Sequence, residues 1–170
     1  MQLSAARQSN MSQEPNQIGV TIRRSDLVSP IARDLIGALN AELSRQYPED
    51  GATHFRLDPD EVADGRGAFI IAWRGERAIG CGAVRRIATG VGELKRMYVI
   101  PEERGSGVGS MLLAALEAEA RALGLTRLVL ETGTRQVAAV ALYRRAGFTD
   151  IEPYGEYISS PLSVCMAKEL

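Results

Sequence analysis

The stretch LKRMYVIPEERGSGVGSMLL (residues 94–113) decides how the whole sequence is interpreted. It begins with a strand-like apolar pattern, passes through a glycine-rich loop and ends with helical spacing of apolar residues. Gly105, Gly107 and Gly109 leave the backbone N–H groups of the loop unobstructed, and a helix N-terminus carries a partial positive charge. Arg104 adds a full positive charge. The stretch therefore predicts a binding site for a phosphate or pyrophosphate.

Two other kinds of phosphate-binding loop fit this stretch less well. A nucleoside-triphosphate loop has a lysine before its final Ser or Thr, whereas Ser110 follows a glycine. A dinucleotide fingerprint would share Gly105 and Gly107, and Glu131 after the next strand mimics its ribose-binding acid. However, Ser110 occupies the position of its third glycine, and residues 101–104 separate the glycines from the strand. The preceding strands also form a meander rather than βαβ units.

Periodicity and the placement of Pro and Gly predict the elements around this stretch. Strands are predicted over 18–24, 67–75, 77–87, 91–100, 125–131, 148–152 and 163–170, and helices over 30–46, 108–123 and 136–146, with a short helical turn near 60–62. Residues 1–17 are polar and are interpreted as a mobile tail, with Met11 as a second candidate start. Residues 18–170 are expected to form one domain.

Composition excludes several classes of protein. The chain has 170 residues, of which 45% are hydrophobic and 24% charged, and its net charge is −1. We therefore expect neither nucleic-acid nor membrane binding, and the start of the chain has no signal-peptide core. Cys81 and Cys165 are too few for a disulfide framework or a zinc site and predict buried thiols in a reducing cytoplasm. Residues 95–145 nevertheless carry eight basic and five acidic side chains, which favours an anionic partner there.

Together with ALYRRAGF (residues 141–148), the opening stretch resembles the GNAT superfamily of acetyl-CoA-dependent N-acetyltransferases. Residues 104–109, Arg-Gly-Ser-Gly-Val-Gly, resemble its acyl-CoA motif, and Leu-Tyr at 142–143 with Gly-Phe at 147–148 resembles its C-terminal motif. The stretch LETGTRQ and the ending PYGEY…SPLSVCM resemble one bacterial branch of small members whose acceptors are mostly unassigned. The resemblance implies an α+β fold with a mixed, mostly antiparallel sheet of about seven strands and about four helices. It also implies acetyl-CoA as co-substrate and no metal.

The resemblance further implies roles for individual residues. The backbone of Met97, Tyr98 and Val99 would pair with the pantetheine arm of CoA, where the fourth and fifth strands separate. The pyrophosphate would be held by Arg104, Gly105, Ser106, Gly107, Val108, Gly109 and Ser110. Gln136, where the family often has Asn, would contact CoA. Tyr143 would protonate the departing thiolate, and Glu93 would take the proton of the attacking amine.

The acceptor is expected between the loops 47–66 and 153–161. Candidate residues there are Tyr47, His54, Arg56, Tyr154 and Tyr157. The net charge of −4 outside residues 95–145 suits a cationic amine, whereas Arg56 or Arg85 could hold a substrate carboxylate. The sequence leaves both readings of the acceptor open.

One main function and two alternatives follow from these residues. The main function is transfer of an acetyl group from acetyl-CoA to a primary amine of a small molecule by direct attack. The alternatives are a CoA-binding or sensing module without turnover and a protein acetyltransferase that acts on lysine or an N-terminus. A homodimer is compatible with each of the three.

Overall fold

A computed structural model of the protein describes residues 19–170. The strands are β1 (Val20–Arg24), β2 (Gly67–Arg74), β3 (Arg77–Ala88), β4 (Val91–Val99), β5 (Arg127–Gly133), β6 (Thr149–Ile151) and β7 (Ser163–Glu169). The α-helices are α1 (Pro30–Gln46), α2 (Val108–Ala122) and α3 (Val137–Arg145). The predicted tail and the candidate start at Met11 lie outside the described residues.

All seven strands join one sheet in the order β1-β2-β3-β4-β5-β7-β6. Only β4 and β5 run parallel, and every other neighbouring pair is antiparallel. The prediction of a mostly antiparallel α+β fold with about seven strands is therefore confirmed. The parallel pair exists because α2 carries the chain across one face of the sheet between β4 and β5.

The expected count of about four helices is wrong by one among residues 19–170, where three α-helices form. The segment 47–66 contains a single 3-10 turn, Pro59–Val62, flanked by irregular backbone. Pro48 disfavours continuation of α1, and Gly51 and Gly65 adopt positive φ angles of 72° and 78°. The loop therefore covers one end of the sheet without a further helix.

Each face of the sheet has its own apolar core. α2 buries Leu112 and Leu116 against β2, β3 and β4 on one face. α1 buries Leu35 and Leu39 against the other face, next to Phe69 of β2. Two cores on opposite faces hold the central strands in place where the sheet opens.

Candidate active site

The sheet opens between its two parallel strands. β4 and β5 pair from Val91 with Arg127 to Leu94 with Leu130, and no pairing between them is formed beyond that point. β5 continues to Gly133 against β7, while the second half of β4 keeps only β3 as a neighbour. One edge of β4 therefore presents backbone groups that no strand satisfies.

A β-bulge lies at the start of this open edge. Ala83 pairs with Lys95 and Cys81 pairs with Tyr98, so two residues of β4, Arg96 and Met97, face one residue of β3. Arg96 has a φ of 58°, the one positive φ among the described non-glycine residues. Bulges re-aim side chains, and here the consecutive residues Lys95 and Arg96 both border the same cavity.

The glycine loop leads into an uncapped helix N-terminus. Gly107 precedes α2 in the left-handed conformation with a φ of 91°, and no side chain caps the helix there. Gly105 also has a positive φ, of 78°, and a Cβ at either glycine would meet no atom within 4 Å. Gly109 has a different reason to be glycine, since a Cβ there would lie 3.2 Å from Leu142 of α3. The free N–H groups of the first turn are suited to bind an anion.

The remaining predicted cofactor residues flank this helix start. Arg104 donates from Nε to the Val99 carbonyl at 3.0 Å and from its terminal nitrogen to Glu42 of α1 at 2.7 Å. The Val99 carbonyl therefore points to the open edge of β4, as pairing with a pantetheine arm would need. Val108 is buried in the core, and the Ser106 hydroxyl donates to the Glu103 carbonyl.

A central cleft of about 120 Å³ lies in the opening between β4 and β5. Its lining comes from both faces of the sheet and from both separated strands. The residues used below are Tyr47, His54, Lys95, Arg96, Met97, Glu131, Gln136, Tyr143 and Tyr157. Of the predicted pantetheine-binding residues, only Met97 borders the cleft, whereas the Tyr98 ring is packed in the core beneath α1.

Tyr143 reaches the cleft from α3. Its ring packs edge-on against Phe148, with the ring centres 5.8 Å apart. Burial raises the pKa of its hydroxyl, so the group stays protonated in neutral solution. Among residues 19–170, no protein group forms a hydrogen bond with this hydroxyl. Tyr143 can therefore donate a proton to a group inside the cleft.

Glu93 lies behind the cleft wall and is fully engaged. Its side chain is 2% exposed, and one carboxylate oxygen receives two bonds from the guanidinium of Arg85, at 2.8 Å from Nε and 2.7 Å from a terminal nitrogen. The other oxygen accepts the hydroxyls of Tyr154, at 2.8 Å, and Tyr157, at 3.0 Å. Arg85 is the direct cross-strand partner of Glu93, and its guanidinium also binds Glu61. Arg85 is thus committed to the two carboxylates, and Glu93 anchors both tyrosines.

Glu131, at the end of β5, borders the cleft directly. One of its oxygens accepts the Ser163 hydroxyl at 2.6 Å. Burial raises the pKa of its carboxyl, and the Ser163 hydrogen bond opposes that rise. Glu131 is the cleft carboxylate that sequence reasoning did not select. The available signal was its position at the end of the strand beside the glycine loop, which suggested a nucleotide fold instead.

The predicted acceptor residues divide into two groups. Tyr47, His54 and Tyr157 border the cleft, and the edge of the His54 ring contacts Tyr157 with ring centres 4.9 Å apart. The Tyr47 hydroxyl also accepts the backbone N–H of Arg135 at 2.7 Å. Tyr154 contributes through its hydrogen bond to Glu93 rather than by lining the cleft.

Arg56 and Gln136 complete the predicted set. Arg56 forms an exposed ion pair with Asp58 at 2.9 Å and does not line the cleft. Gln136 precedes α3, borders the cleft, and its side-chain amide is hydrogen-bonded to that of Gln46. The longer amide of Gln136 therefore bridges α3 to the end of α1.

The fold and the cleft together define a class of enzyme. A sheet that opens between two parallel central strands, beside a glycine-bordered helix N-terminus, can bind an extended donor along one strand edge. A protonated tyrosine and a carboxylate face the same opening. This arrangement is that of an acyl-CoA-dependent transferase.

Comparison with known proteins gives the family. The model of the Acetyltransferase (GNAT) family matches residues 34–148. A protein named IAA acetyltransferase from Azospirillum brasilense is 42% identical over 89% of this chain and 98% of its own length. YedL of Escherichia coli (strain K12), an uncharacterized N-acetyltransferase, is 32% identical over 88% of this chain and 98% of its own length. The chain belongs to the GNAT family and is an acetyl-CoA-dependent N-acetyltransferase, which confirms the expected enzyme class.

Solved structures agree with this assignment. A Klebsiella pneumoniae protein, provisionally an acyl-CoA N-acyltransferase, is 37% identical with a TM-score of 0.75, over 89% of this chain and 97% of that one. A GNAT acetyltransferase from Elizabethkingia anophelis with acetyl-CoA bound shares the fold at 22% identity and a TM-score of 0.63, over 89% of this chain and 98% of that one.

No helix among residues 19–170 is long and apolar enough to cross a membrane. The same residues contain no group of three or more His, Cys, Asp or Glu side chains placed to hold a metal ion.

Proposed function

We propose that the protein transfers the acetyl group of acetyl-CoA directly to a primary amine of a small molecule bound in the central cleft. The observation that carries this proposal is the convergence of three features at one opening. These are the open edge of β4, the Tyr143 hydroxyl and the Glu131 carboxylate. Acetyl-CoA supplies a thioester, whose carbonyl carbon is the electrophile and whose thiolate is the leaving group.

The residues that would hold the donor fit its chemistry. The open edge at Met97–Val99 offers backbone groups that no strand pairs to an extended amide-containing arm, and the Arg104 side chain that now binds the Val99 carbonyl would have to move aside. Gly105 and Gly107 leave space beside the first turn of α2, whose free N–H groups and partial charge suit a pyrophosphate. The Arg104 guanidinium lies next to both features, and its contact with Glu42 is partly exposed and therefore exchangeable.

The chain's own groups then move the two protons of the reaction. The acceptor nitrogen attacks in its neutral form, and the proton that it loses as the C–N bond forms passes to the Glu131 carboxylate, directly or through one water. As the new C–N bond forms and the C–S bond breaks, the Tyr143 hydroxyl gives its proton to the sulfur. The raised pKa values of both groups support these roles, since one holds a proton firmly and the other accepts one more readily than an exposed carboxylate.

Glu93 is the second candidate base, and one observation favours it. Tyr157 borders the cleft and donates its hydroxyl to Glu93. A proton leaving the acceptor could therefore reach Glu93 through that hydroxyl. Against this route, Glu93 is ion-paired with Arg85, and both oxygens of Glu93 already accept hydrogen bonds.

The test is release of free thiol from acetyl-CoA by the purified protein with a panel of primary amines and amino acids. We expect acceptor-dependent release, and the variant Tyr143→Phe is expected to lower kcat by about 100-fold without changing the Kd of acetyl-CoA. Tight acetyl-CoA binding without turnover of any acceptor would favour a sensing module instead.

A second variant tests the donor site. Gly107→Asp places a carboxylate beside the first turn of α2 and should abolish stabilisation of the protein by acetyl-CoA against heat. Gly107→Asn is the matched control, because it carries the same positive φ without the charge. If acetyl-CoA gives the wild-type protein no heat stabilisation, the proposal fails.

A further inference from the structure

The central cleft contains an unusual set of buried nitrogen atoms. Among the described residues, three side-chain nitrogen atoms are fully shielded from solvent and have no hydrogen-bond partner: His54 Nε2, Lys95 Nζ and Arg96 Nε. All three of these residues line the central cleft. A buried polar group without a hydrogen bond costs several kcal/mol, and a buried charge costs more. The buried ammonium of Lys95 among them points to a ligand that completes its bonds.

Lys95 is the strongest member of the set. Its side chain is 5% exposed, and its position before the bulge directs it into the opening between β4 and β5. Burial lowers the pKa of its ammonium group, and the nearby charge of Glu93 opposes that effect. Both oxygens of Glu93 already accept hydrogen bonds from other side chains, so Glu93 forms no hydrogen bond with Lys95.

A carboxylate of the chain itself stands close to Lys95 and His54. One Glu156 oxygen lies 3.9 Å from Lys95 Nζ, and the other lies 3.9 Å from His54 Nδ1. Both distances are too long for hydrogen bonds. The Glu156 side chain is 48% exposed, so it can leave at little cost. The two nitrogen-bearing side chains thus already face a loosely held carboxylate.

Resting on the proposed function, we propose that the acceptor is an amino acid or another amine that carries a carboxylate, and that Lys95 and His54 bind this carboxylate after it displaces Glu156. Glu131 stands across the same cleft to receive the amine proton. A zwitterionic acceptor would thereby place its negative end against Lys95 and its amine toward Glu131. Lys95 takes the role considered for Arg56 and Arg85, because Arg56 does not line the cleft and the Arg85 guanidinium is bound to Glu61 and Glu93.

The test compares each acceptor acid with its uncharged carboxamide. The probes are glycine, phenylalanine, lysine and glutamate, paired with glycinamide, phenylalaninamide, lysinamide and the α-amide of glutamate. With wild-type protein we expect kcat/KM for the best acid to exceed that of its amide by about 10- to 100-fold, the value of hydrogen bonds to a charged group. Equal use of acids and amides, or transfer only to amines without a carboxylate, overturns the inference.

Two variants make the test specific. Lys95→Met replaces a buried charge with an apolar chain of similar length, so the fold should be retained. It should raise KM for the acid by about 10- to 100-fold and leave the amide unchanged. Glu156→Gln should act in the opposite direction, lowering KM for the acid several-fold by removing the competing carboxylate. A Lys95→Met variant that loses kcat equally for acid and amide would instead show that Lys95 acts on the thioester, and would overturn the inference.

Failure of the inference is distinguishable from failure of the proposed function. A protein that acetylates amines but ignores their carboxylates keeps the proposed function and loses only the carboxylate site. A protein that releases no thiol from acetyl-CoA with any amine, with or without a carboxylate, loses both.

Discussion

Glu93 and Glu131 lie on neighbouring strands, β4 and β5, but Glu131 borders the cleft whereas Glu93 lies behind its wall. Glu93 accepts hydrogen bonds from Arg85, Tyr154 and Tyr157, whereas Glu131 accepts one from Ser163. Burial without a paired cation raises the pKa of Glu131. Two carboxylates of one protein can thus have different roles because their surroundings differ. Glu93 holds Tyr154 and Tyr157 of the loop 153–161 in place, whereas the surroundings of Glu131 suit the proton exchange proposed for it.

The largest expected difference between the two carboxylates is in kcat. Glu131→Gln should lower kcat by about 1,000-fold, because the loss of a general base costs on this scale. Glu93→Gln should lower kcat by less than about tenfold, because Glu93 is not the proposed base. The measurement is steady-state thiol release at saturating acetyl-CoA, with the Kd of acetyl-CoA as the control. A folded Glu93→Gln protein that loses as much kcat as Glu131→Gln would favour the route through Tyr157.

Stability should show the reverse order. Glu93→Gln removes one of the two carboxylates that bind the Arg85 guanidinium and keeps Glu61, so it should lower the free energy of unfolding by about 2 kcal/mol. Glu131→Gln removes an unpaired charge and keeps an acceptor for Ser163, so it should change that free energy by less than about 1 kcal/mol. Urea unfolding of both variants checks the difference, and equal losses would contradict it.

The Tyr157 hydroxyl should couple energetically to one carboxylate only. Tyr157→Phe removes a hydrogen bond to the Glu93 carboxylate, which is ion-paired with Arg85, so it should cost about 2 kcal/mol of stability. In a double-mutant cycle, Tyr157→Phe and Glu93→Gln should be non-additive, with an interaction energy of about 1 kcal/mol. The pair Tyr157→Phe and Glu131→Gln is the matched control and should be additive.

The smallest expected effect is on the pH profile. The Ser163 hydrogen bond lowers the pKa of Glu131, so Ser163→Ala should raise it further. Because Glu131 must be ionised to accept a proton, the acidic limb of kcat should move to higher pH by about one unit or less. Tyr154→Phe, which alters only the surroundings of Glu93, should leave this limb in place. A limb that moves in Tyr154→Phe and not in Ser163→Ala would assign it to Glu93.

The elements of the fold were predictable because their signals are local. Ser29 and Pro30 mark the start of α1, and the apolar spacing that follows fixes its buried face. Gly105 and Gly107 indicated the turn before the N-terminus of α2, and both have positive φ angles in the structure. The family resemblance supplied the opening between β4 and β5.

The acceptor side was harder to predict because its contacts are long-range. Lys95 and Arg96 are consecutive on a strand, and strand alternation would place them on opposite faces. The bulge brings both to one cleft, and only strand pairing reveals it. Arg85 looked free to bind a substrate, but Glu61 from a distant 3-10 turn and Glu93 from the next strand occupy its guanidinium.

The parting of β4 from β5 divides the sheet into two mechanical units. Strands β1–β4 form one antiparallel unit and β5–β7 another, and the seam between them is a parallel ladder from Val91–Arg127 to Leu94–Leu130. We expect slow amide hydrogen exchange within each unit and faster exchange, through small local openings, at the open edge of β4. Lys95 belongs to the first unit and Glu131 to the second. The distance between Lys95 and Glu131, and with it the space for the proposed acceptor, therefore depends on the stability of this short parallel ladder.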